Sequence, residues 1–135
     1  VDDTSENTVE VDVFPLDSVL DGRAPVAIKI DVEGFEAEVM AGAVKTLANP
    51  VLQAVVIEML ASGVESYGGK LEHILAALAD AGLSGPFWYD PPARKLIDAG
   101  IKEPTKYNQI FVRDTAFVAA RLASARHYEI NGTRI

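Results

Sequence analysis

Two carboxylates separated by one residue follow a short apolar run in this chain. Asp31 and Glu33 come directly after Ala27–Ile30, and Gly34 and a helical pattern follow them. This order predicts a buried strand that ends in a polar turn, and ligands of open α/β sheets bind at such carboxyl ends. The two carboxylates could act as a general base, position a substrate or hold a divalent cation. The alternative is a turn whose acids favour the N-terminus of the next helix.

A third carboxylate, Glu58, ends a second apolar run at residues 52–57. The ends of adjacent strands lie about 5 Å apart, so Glu58 could join Asp31 and Glu33 in one acidic cluster. Such a cluster would suit magnesium. The alternative is a solvated carboxylate at the strand end, or a partner for Lys29. Lys29 itself could pair with a carboxylate or extend into solvent from a sheet edge.

The apolar pattern predicts alternating strands and helices along the chain. Strands are expected at residues 9–13, 26–30, 52–57, 87–89, 94–97, 109–113 and 128–130. Helices are expected at 17–20, 35–48, 71–81 and 116–125, with loops at 61–70 and 98–106. This order predicts a parallel α/β sheet with an antiparallel end. Without an internal repeat or boundary, one domain is expected over residues 1–135, with a flexible lead-in at 1–8.

Composition excludes several classes of function. The chain of 135 residues contains no cysteine, so a disulfide scaffold, a thiolate zinc site and a cysteine nucleophile are excluded. The net charge of -8 and the lack of a basic cluster argue against nucleic acid as a partner. No apolar run approaches the roughly 18 residues of a membrane span, and the first residues do not resemble a signal peptide. A cytoplasmic protein without membrane contact is therefore expected.

The segment IKIDVEGFEAEVMAGAVKTL, which begins at Ile28, resembles the signature of the FkbM-type methyltransferases, which use S-adenosylmethionine (SAM). VFPLDSVL from Val13 resembles the segment that precedes this signature, and NQIFV from Asn108 resembles a late strand of the family. The resemblance extends from residue 9 to about residue 130. It implies the C-terminal half of a Rossmann-like class I methyltransferase fold, with a mostly parallel sheet and an antiparallel terminal hairpin.

The resemblance also implies a reaction and a site. Family members transfer a methyl group, commonly to an oxygen of a sugar or a secondary metabolite, so a small-molecule or glycan acceptor is expected. Asp31 is the first choice and Glu33 the second for catalytic contact near the reacting groups. Glu58 and Asn108 are expected to bind the substrate, although Asn108 could instead serve a turn. SAM is the expected cofactor; magnesium is possible but not expected, and no metal ligands are assigned.

The elements with which the family holds SAM are missing from the sequence. It contains neither G-x-G-x-x-G nor Asp-x-Gly-x-x-x-Gly, so the cofactor-binding residues stay unidentified and the chain is expected to be part of a longer enzyme. Two alternatives stay open, a magnesium-dependent lyase or hydrolase fragment and a non-catalytic α/β interaction module. The strand at residues 26–30 would lack a neighbour, so its edge is expected to bind a second copy, the 1–14 segment or a missing part of the protein.

Overall fold

The computed structural model describes residues 9–100 and 108–134. Within these ranges the helices are α1 (Leu16–Leu20), α2 (Glu36–Ala41), α3 (Val44–Ala48), α4 (Ala61–Ser66), α5 (Leu71–Asp80) and α6 (Thr115–Ser124). The strands are β1 (Ala27–Ile30), β2 (Ala54–Ile57), β3 (Ser84–Asp90), β4 (Lys95–Asp98), β5 (Gln109–Val112), β6 (Glu129–Ile130) and β7 (Thr133–Arg134). In the described ranges, no helix combines the length and the apolar character that crossing a membrane requires. The predicted lead-in at 1–8 and residues 101–106 of a predicted loop lie outside them.

Five of the described strands form one sheet in the order β1-β2-β5-β3-β4. The pair β1–β2 is parallel, whereas the pairs β2–β5, β5–β3 and β3–β4 are antiparallel. The α/β class and the antiparallel end are confirmed, but the expectation of a mostly parallel sheet is wrong. The cause is the position of β5. The strands β1, β2 and β3 run in the same direction, and β5 inserts between β2 and β3 in the opposite direction.

The apolar residues of β1, β2 and β5 pack against the helices that connect β1 to β3. Members of this core that are at most 1% exposed include Leu52, Val55, Ile57, Val64, Ile74 and Leu78. Burial of each such side chain contributes roughly 1.5–3 kcal/mol. The helices α2 and α5 also contact each other, and α6 packs against β4. The core therefore fixes the ends of β1 and β2 relative to one another.

The helix predicted at residues 35–48 is two helices, α2 and α3, which separate at Gly42 and Ala43. The carbonyl oxygen of Gly42 accepts a hydrogen bond from the backbone N–H of Asp17, at 3.0 Å, in α1. A Cβ atom at Gly42 would lie 3.2 Å from the Cα atom of Pro15. The single-helix prediction is wrong because α1 packs at this point and takes a carbonyl that a continuous helix would use internally.

Asp17 also provides the N-terminal cap that α3 lacks in its own sequence, where Ala43 is the N-cap residue. Its carboxylate accepts hydrogen bonds from the backbone N–H groups of Lys45, at 2.9 Å, and Thr46, at 2.8 Å. The Thr46 hydroxyl donates a third bond at 2.6 Å. Burial acts to raise the pKa of Asp17, but these hydrogen bonds and the charge of Lys45 outweigh it, so the pKa lies below its ordinary value.

Two other predicted elements differ in the structure. Residues 9–13 form no strand, and Val9, Val11 and Val13 are more than 70% exposed, because no described strand pairs with this segment. The alternating pattern alone therefore did not produce a strand. The loop predicted at 61–70 contains α4, whose glycine masks the helical pattern and whose Val64 is fully buried.

The remaining predicted elements are present. The helix α5 ends as expected before Gly82, which has a φ of +78°. The strands predicted at 87–89 and 94–97 are β3 and β4, which pair as an antiparallel hairpin, and β5 and α6 follow them. Asp114 caps α6 by accepting a hydrogen bond from the N–H of Phe117 at 2.9 Å. The strand predicted at 128–130 is β6, which pairs with β7 in a separate small sheet.

Candidate functional site

Three of the four predicted site residues lie at one edge of the sheet. Ile30 pairs with Ile57 in the parallel ladder, and Ile57 pairs with Gln109 in the antiparallel one. Asp31, Glu58 and Asn108 each lie one position beyond these pairs. Since they extend from three neighbouring strands, the register brings them together at the carboxyl ends of β1 and β2, where open α/β sheets bind ligands.

The turn after β1 carries the second predicted carboxylate. Glu33 has a φ of +52° and Gly34 a φ of +109°, and the N–H of Phe35 donates to the carbonyl of Val32 at 3.3 Å. Two consecutive positive φ values with this hydrogen bond are typical of a type I′ turn. The turn reverses the chain sharply between β1 and α2, so Glu33 lies at its exposed tip.

Close backbone packing holds this turn against the segment that follows β2. A Cβ atom at Gly34 would lie 2.6 Å from the carbonyl oxygen of Gly63, which belongs to α4. No residue with a side chain fits at position 34 without movement of the backbone. The turn after β1 and helix α4 are therefore in direct contact, and this contact requires glycine at position 34.

Asp31 is exposed and lies in contact with the Nζ atom of Lys29. The side chains of Lys29 and Asp31 are 53% and 41% exposed. A pair in this much solvent contributes at most about 1 kcal/mol to stability, so the Lys29–Asp31 pair is not explained by a need to stabilise the fold. Both alternatives for Lys29 hold, since it extends from the open edge of β1 and pairs with a carboxylate. Asp31 remains accessible to a ligand.

The other two predicted residues at this end of the sheet are Glu58 and Asn108. Glu58 is half-buried, and its backbone N–H donates to the carbonyl of Ile30 at 3.0 Å. Asn108 is exposed. Among the described residues, no hydrogen bond joins the side chains of Asp31, Glu33, Glu58 and Asn108. No group of three or more His, Cys, Asp or Glu residues that could hold a metal ion occurs in the described ranges, so Asp31, Glu33 and Glu58 do not form the acidic cluster considered above.

Glu36, which the sequence reasoning did not consider, lies beside the turn after β1. Its side chain is 1% exposed, and one carboxylate oxygen accepts a hydrogen bond from the backbone N–H of Gly34 at 3.1 Å. The helical spacing contains a signal for this burial, because Glu36 lies four residues before Met40 and seven before Ala43, both buried. The apolar face of α2 therefore begins with a carboxylate that reaches back to the turn.

Exposed apolar side chains occur in the segments that follow the predicted carboxylates. Val32, Phe35, Leu60 and Tyr67 are all exposed, and Phe35 and Tyr67 meet edge to face with ring centroids 5.8 Å apart. An exposed aromatic pair can contact the apolar face of a ligand. A separate cavity of about 600 Å³ lies between the β3–β4 hairpin and α6, and none of the four predicted site residues lines it.

Three of the described glycines, Gly34, Gly69 and Gly85, are not available as a nucleotide cradle. Such a cradle needs backbone that a ligand can approach closely. The tight approaches at Gly34, Gly69 and Gly85 are instead filled by this chain's own atoms, including Gly63, Val64 and Ile110. These three glycines therefore offer no cradle for SAM.

Comparison with known proteins identifies a family for this chain. A family model for the methyltransferase FkbM domain matches residues 2–83, which is more than half of the 135-residue chain. The matched region contains Asp31, Glu33, Glu36 and Glu58, whereas Asn108 lies outside it. No curated protein and no solved structure matches the chain.

Proposed function

Because the chain belongs to the FkbM methyltransferase domain family, we propose that it forms the acceptor side of a SAM-dependent O-methyltransferase. The observation that carries the proposal is Asp31, an exposed carboxylate at the end of β1 inside the matched region. The proposed acceptor is a hydroxyl group of a sugar or another small molecule. Glu58 and Asn108 lie next to Asp31 at the same end of the sheet, where both could contact such an acceptor.

Asp31 would accept the proton of the acceptor hydroxyl or position that hydroxyl for attack. Lys29, which contacts the Asp31 carboxylate, would help to hold that carboxylate in place. Glu33 at the tip of the turn is the second carboxylate available to the acceptor. The aromatic pair of Phe35 and Tyr67 would bind an apolar face of the same molecule.

SAM, when bound, supplies an activated methyl group to the acceptor oxygen. Since the sequence lacks the glycine motifs of the family and Gly34 and Gly69 are packed against the chain itself, we propose that residues outside this sequence complete the donor site. The chain alone should therefore bind SAM weakly or not at all.

Calorimetric titrations of SAM and of magnesium chloride into the chain test this assignment. Little or no heat is expected with either. Micromolar SAM binding, about -8 kcal/mol, would contradict the claim that the donor site is incomplete. Saturable binding of magnesium would favour the lyase or hydrolase alternative, for which the described residues offer no ligand cluster.

The reaction itself is tested in the protein that carries this domain together with its donor site. Incubation with SAM and a panel of sugars and hydroxylated small molecules should release S-adenosylhomocysteine with at least one acceptor. Asp31→Asn serves as the matched negative control. Binding of SAM without methyl transfer to any acceptor, by a folded protein, would favour a non-catalytic interaction module.

A further inference from the structure

Glu36 is buried without a complete set of hydrogen bonds. Its Oε1 atom accepts the N–H of Gly34 at 3.1 Å, but its Oε2 atom, also buried, has no hydrogen-bond partner among the described residues. A buried carboxylate oxygen without a partner is unfavourable compared with an apolar side chain of similar size. Core stability therefore gives no reason for a carboxylate at this position.

The bond that Glu36 does make is directed at the turn. Gly34 is the residue with a φ of +109° that packs on Gly63, and its N–H points to Glu36 instead of to solvent. The next backbone N–H, that of Phe35, is bonded to Val32 within the turn. Glu36 thus provides the hydrogen bond from outside the turn that holds the Glu33–Gly34 peptide in one orientation.

We propose that Glu36 is a positioning residue for the transfer reaction, which holds the turn after β1 so that Asp31 and Glu33 face the acceptor. The inference rests on the proposed function for its chemical role. Its structural part, the fixing of the Gly34 amide by a side chain with little role in stability, is independent of that function. Glu36 does not contact the acceptor, because only 1% of it is exposed.

The structural part is tested by amide hydrogen exchange and thermal unfolding of Glu36→Leu and Glu36→Gln. In Glu36→Leu, the Gly34 amide should exchange about tenfold faster or more, while the amides of Val39 and Met40 keep their protection. The melting temperature should stay equal or rise, because the unpartnered oxygen is gone. Glu36→Gln retains an oxygen acceptor and should restore the protection of Gly34. Glu38→Leu, at an exposed position of the same helix, is the matched control and should leave Gly34 unchanged.

Other results would overturn the inference. Unchanged protection of Gly34 in Glu36→Leu would show that the turn does not depend on the carboxylate. Loss of protection throughout α2, or unfolding of both Glu36 variants, would make Glu36 a general structural residue.

The chemical part is tested by methyl transfer in the protein that contains the donor site. Glu36→Leu should lower kcat about tenfold or more and leave the KM for SAM within about threefold, with recovery in Glu36→Gln. Equal kcat values for Glu36→Leu and wild type would overturn the positioning role. A wild-type protein without methyl transfer would count against the proposed function, whereas the exchange result at Gly34 would still decide the structural part.

Discussion

Gly34 and Gly63 pack backbone against backbone and join the turn after β1 to the helix after β2. A Cβ atom at Gly34 would meet the carbonyl carbon and oxygen of Gly63 at 2.7 and 2.6 Å, and one at Gly63 would lie 3.3 Å from the Cα atom of Gly34. The contact leaves no room for a side chain at position 34. The turn that follows Asp31 and the helix α4 that follows Glu58 therefore cannot move independently without loss of packing.

Gly34→Ala should destabilise the protein and disturb the site. A non-glycine residue at a φ of +109° is strained, and its Cβ atom would collide with Gly63. Together these effects should lower the free energy of unfolding by roughly 2–4 kcal/mol. Urea unfolding measures this change. Gly68→Ala is the matched control, because Gly68 has a φ of +78° but open space around it, so only the strain of about 1 kcal/mol applies. Equal losses in the two variants would contradict the importance of the contact.

Asp17→Ala should remove the cap of α3 and make part of the stability depend on pH. The loss of the bonds to Lys45 and Thr46 should lower the free energy of unfolding by about 0.5–2 kcal/mol at neutral pH. Because the pKa of Asp17 is lowered in the folded state, its contribution is present above the unfolded pKa of about 3.9 and is lost as the pH falls through the folded pKa.

Urea unfolding of wild type and Asp17→Ala at about pH 7 and about pH 2 tests this dependence. The difference between the two proteins should shrink at the lower pH. Asp12→Ala, in an exposed segment without regular structure, is the control and should have little effect at either pH. A difference that stays constant with pH would show that the charge of Asp17 is unimportant.

Arg113→Met should destabilise the protein by roughly 2–4 kcal/mol. The guanidinium donates to the carbonyl oxygens of Leu47 at 2.7 Å, Leu52 at 2.8 Å and Ala81 at 2.5 Å. These carbonyls belong to the end of α3, the approach to β2 and the end of α5, so one side chain joins three segments. Thermal unfolding of Arg113→Met and of the control Arg23→Met compares an arginine that joins distant segments with one that makes local hydrogen bonds. Arg23 is exposed, and among the described residues its side chain bonds carbonyls of α1, so its loss should cost less than about 1 kcal/mol.

Asp31→Asn should reduce methyl transfer by about 10²-fold or more in the protein that contains the donor site. The amide retains the shape of the side chain but does not accept a proton. Lys29→Met is the matched control, since it removes the ion pair but leaves the carboxylate in place. Its activity should fall less. Equal losses of activity in both variants would show that the ion pair between Lys29 and Asp31 causes the effect. Near-normal turnover by Asp31→Asn would show that the role of Asp31 is structural.

Lys29→Val should promote self-association through the edge of β1. Within the described sheet β1 pairs with β2 alone, and the exposed Lys29 places a charge on the open edge. Charged residues on an edge strand oppose pairing with another chain. Light scattering over a range of concentrations should give a higher mass for Lys29→Val than for wild type. Lys45→Val, on the surface of α3, should behave as wild type. Association of both variants would reflect lost charge and not the edge.

Much of the local structure follows from the sequence alone. The apolar runs that become β1 and β2, the helical spacing of α5 and its stop at Gly82, and the turn between β3 and β4 all depend on neighbouring residues. The same holds for the placement of Asp31 and Glu33 directly after β1, and the family match agrees with the resemblance in that segment. The role of these carboxylates stays a prediction.

Only the tertiary structure decided how these elements meet. The insertion of β5 between β2 and β3, which brings Asn108 beside Glu58, depends on pairing between distant segments. The cap that Asp17 gives α3 and the bond from Gly34 to Glu36 likewise need three-dimensional packing. The segment at residues 9–13, which contains Val11, shows the converse. Its alternating pattern suits a strand, but no described strand pairs with it. The physical reason is that side-chain periodicity specifies which face of a segment is apolar, whereas partners and register are set by the contacts of the assembled chain.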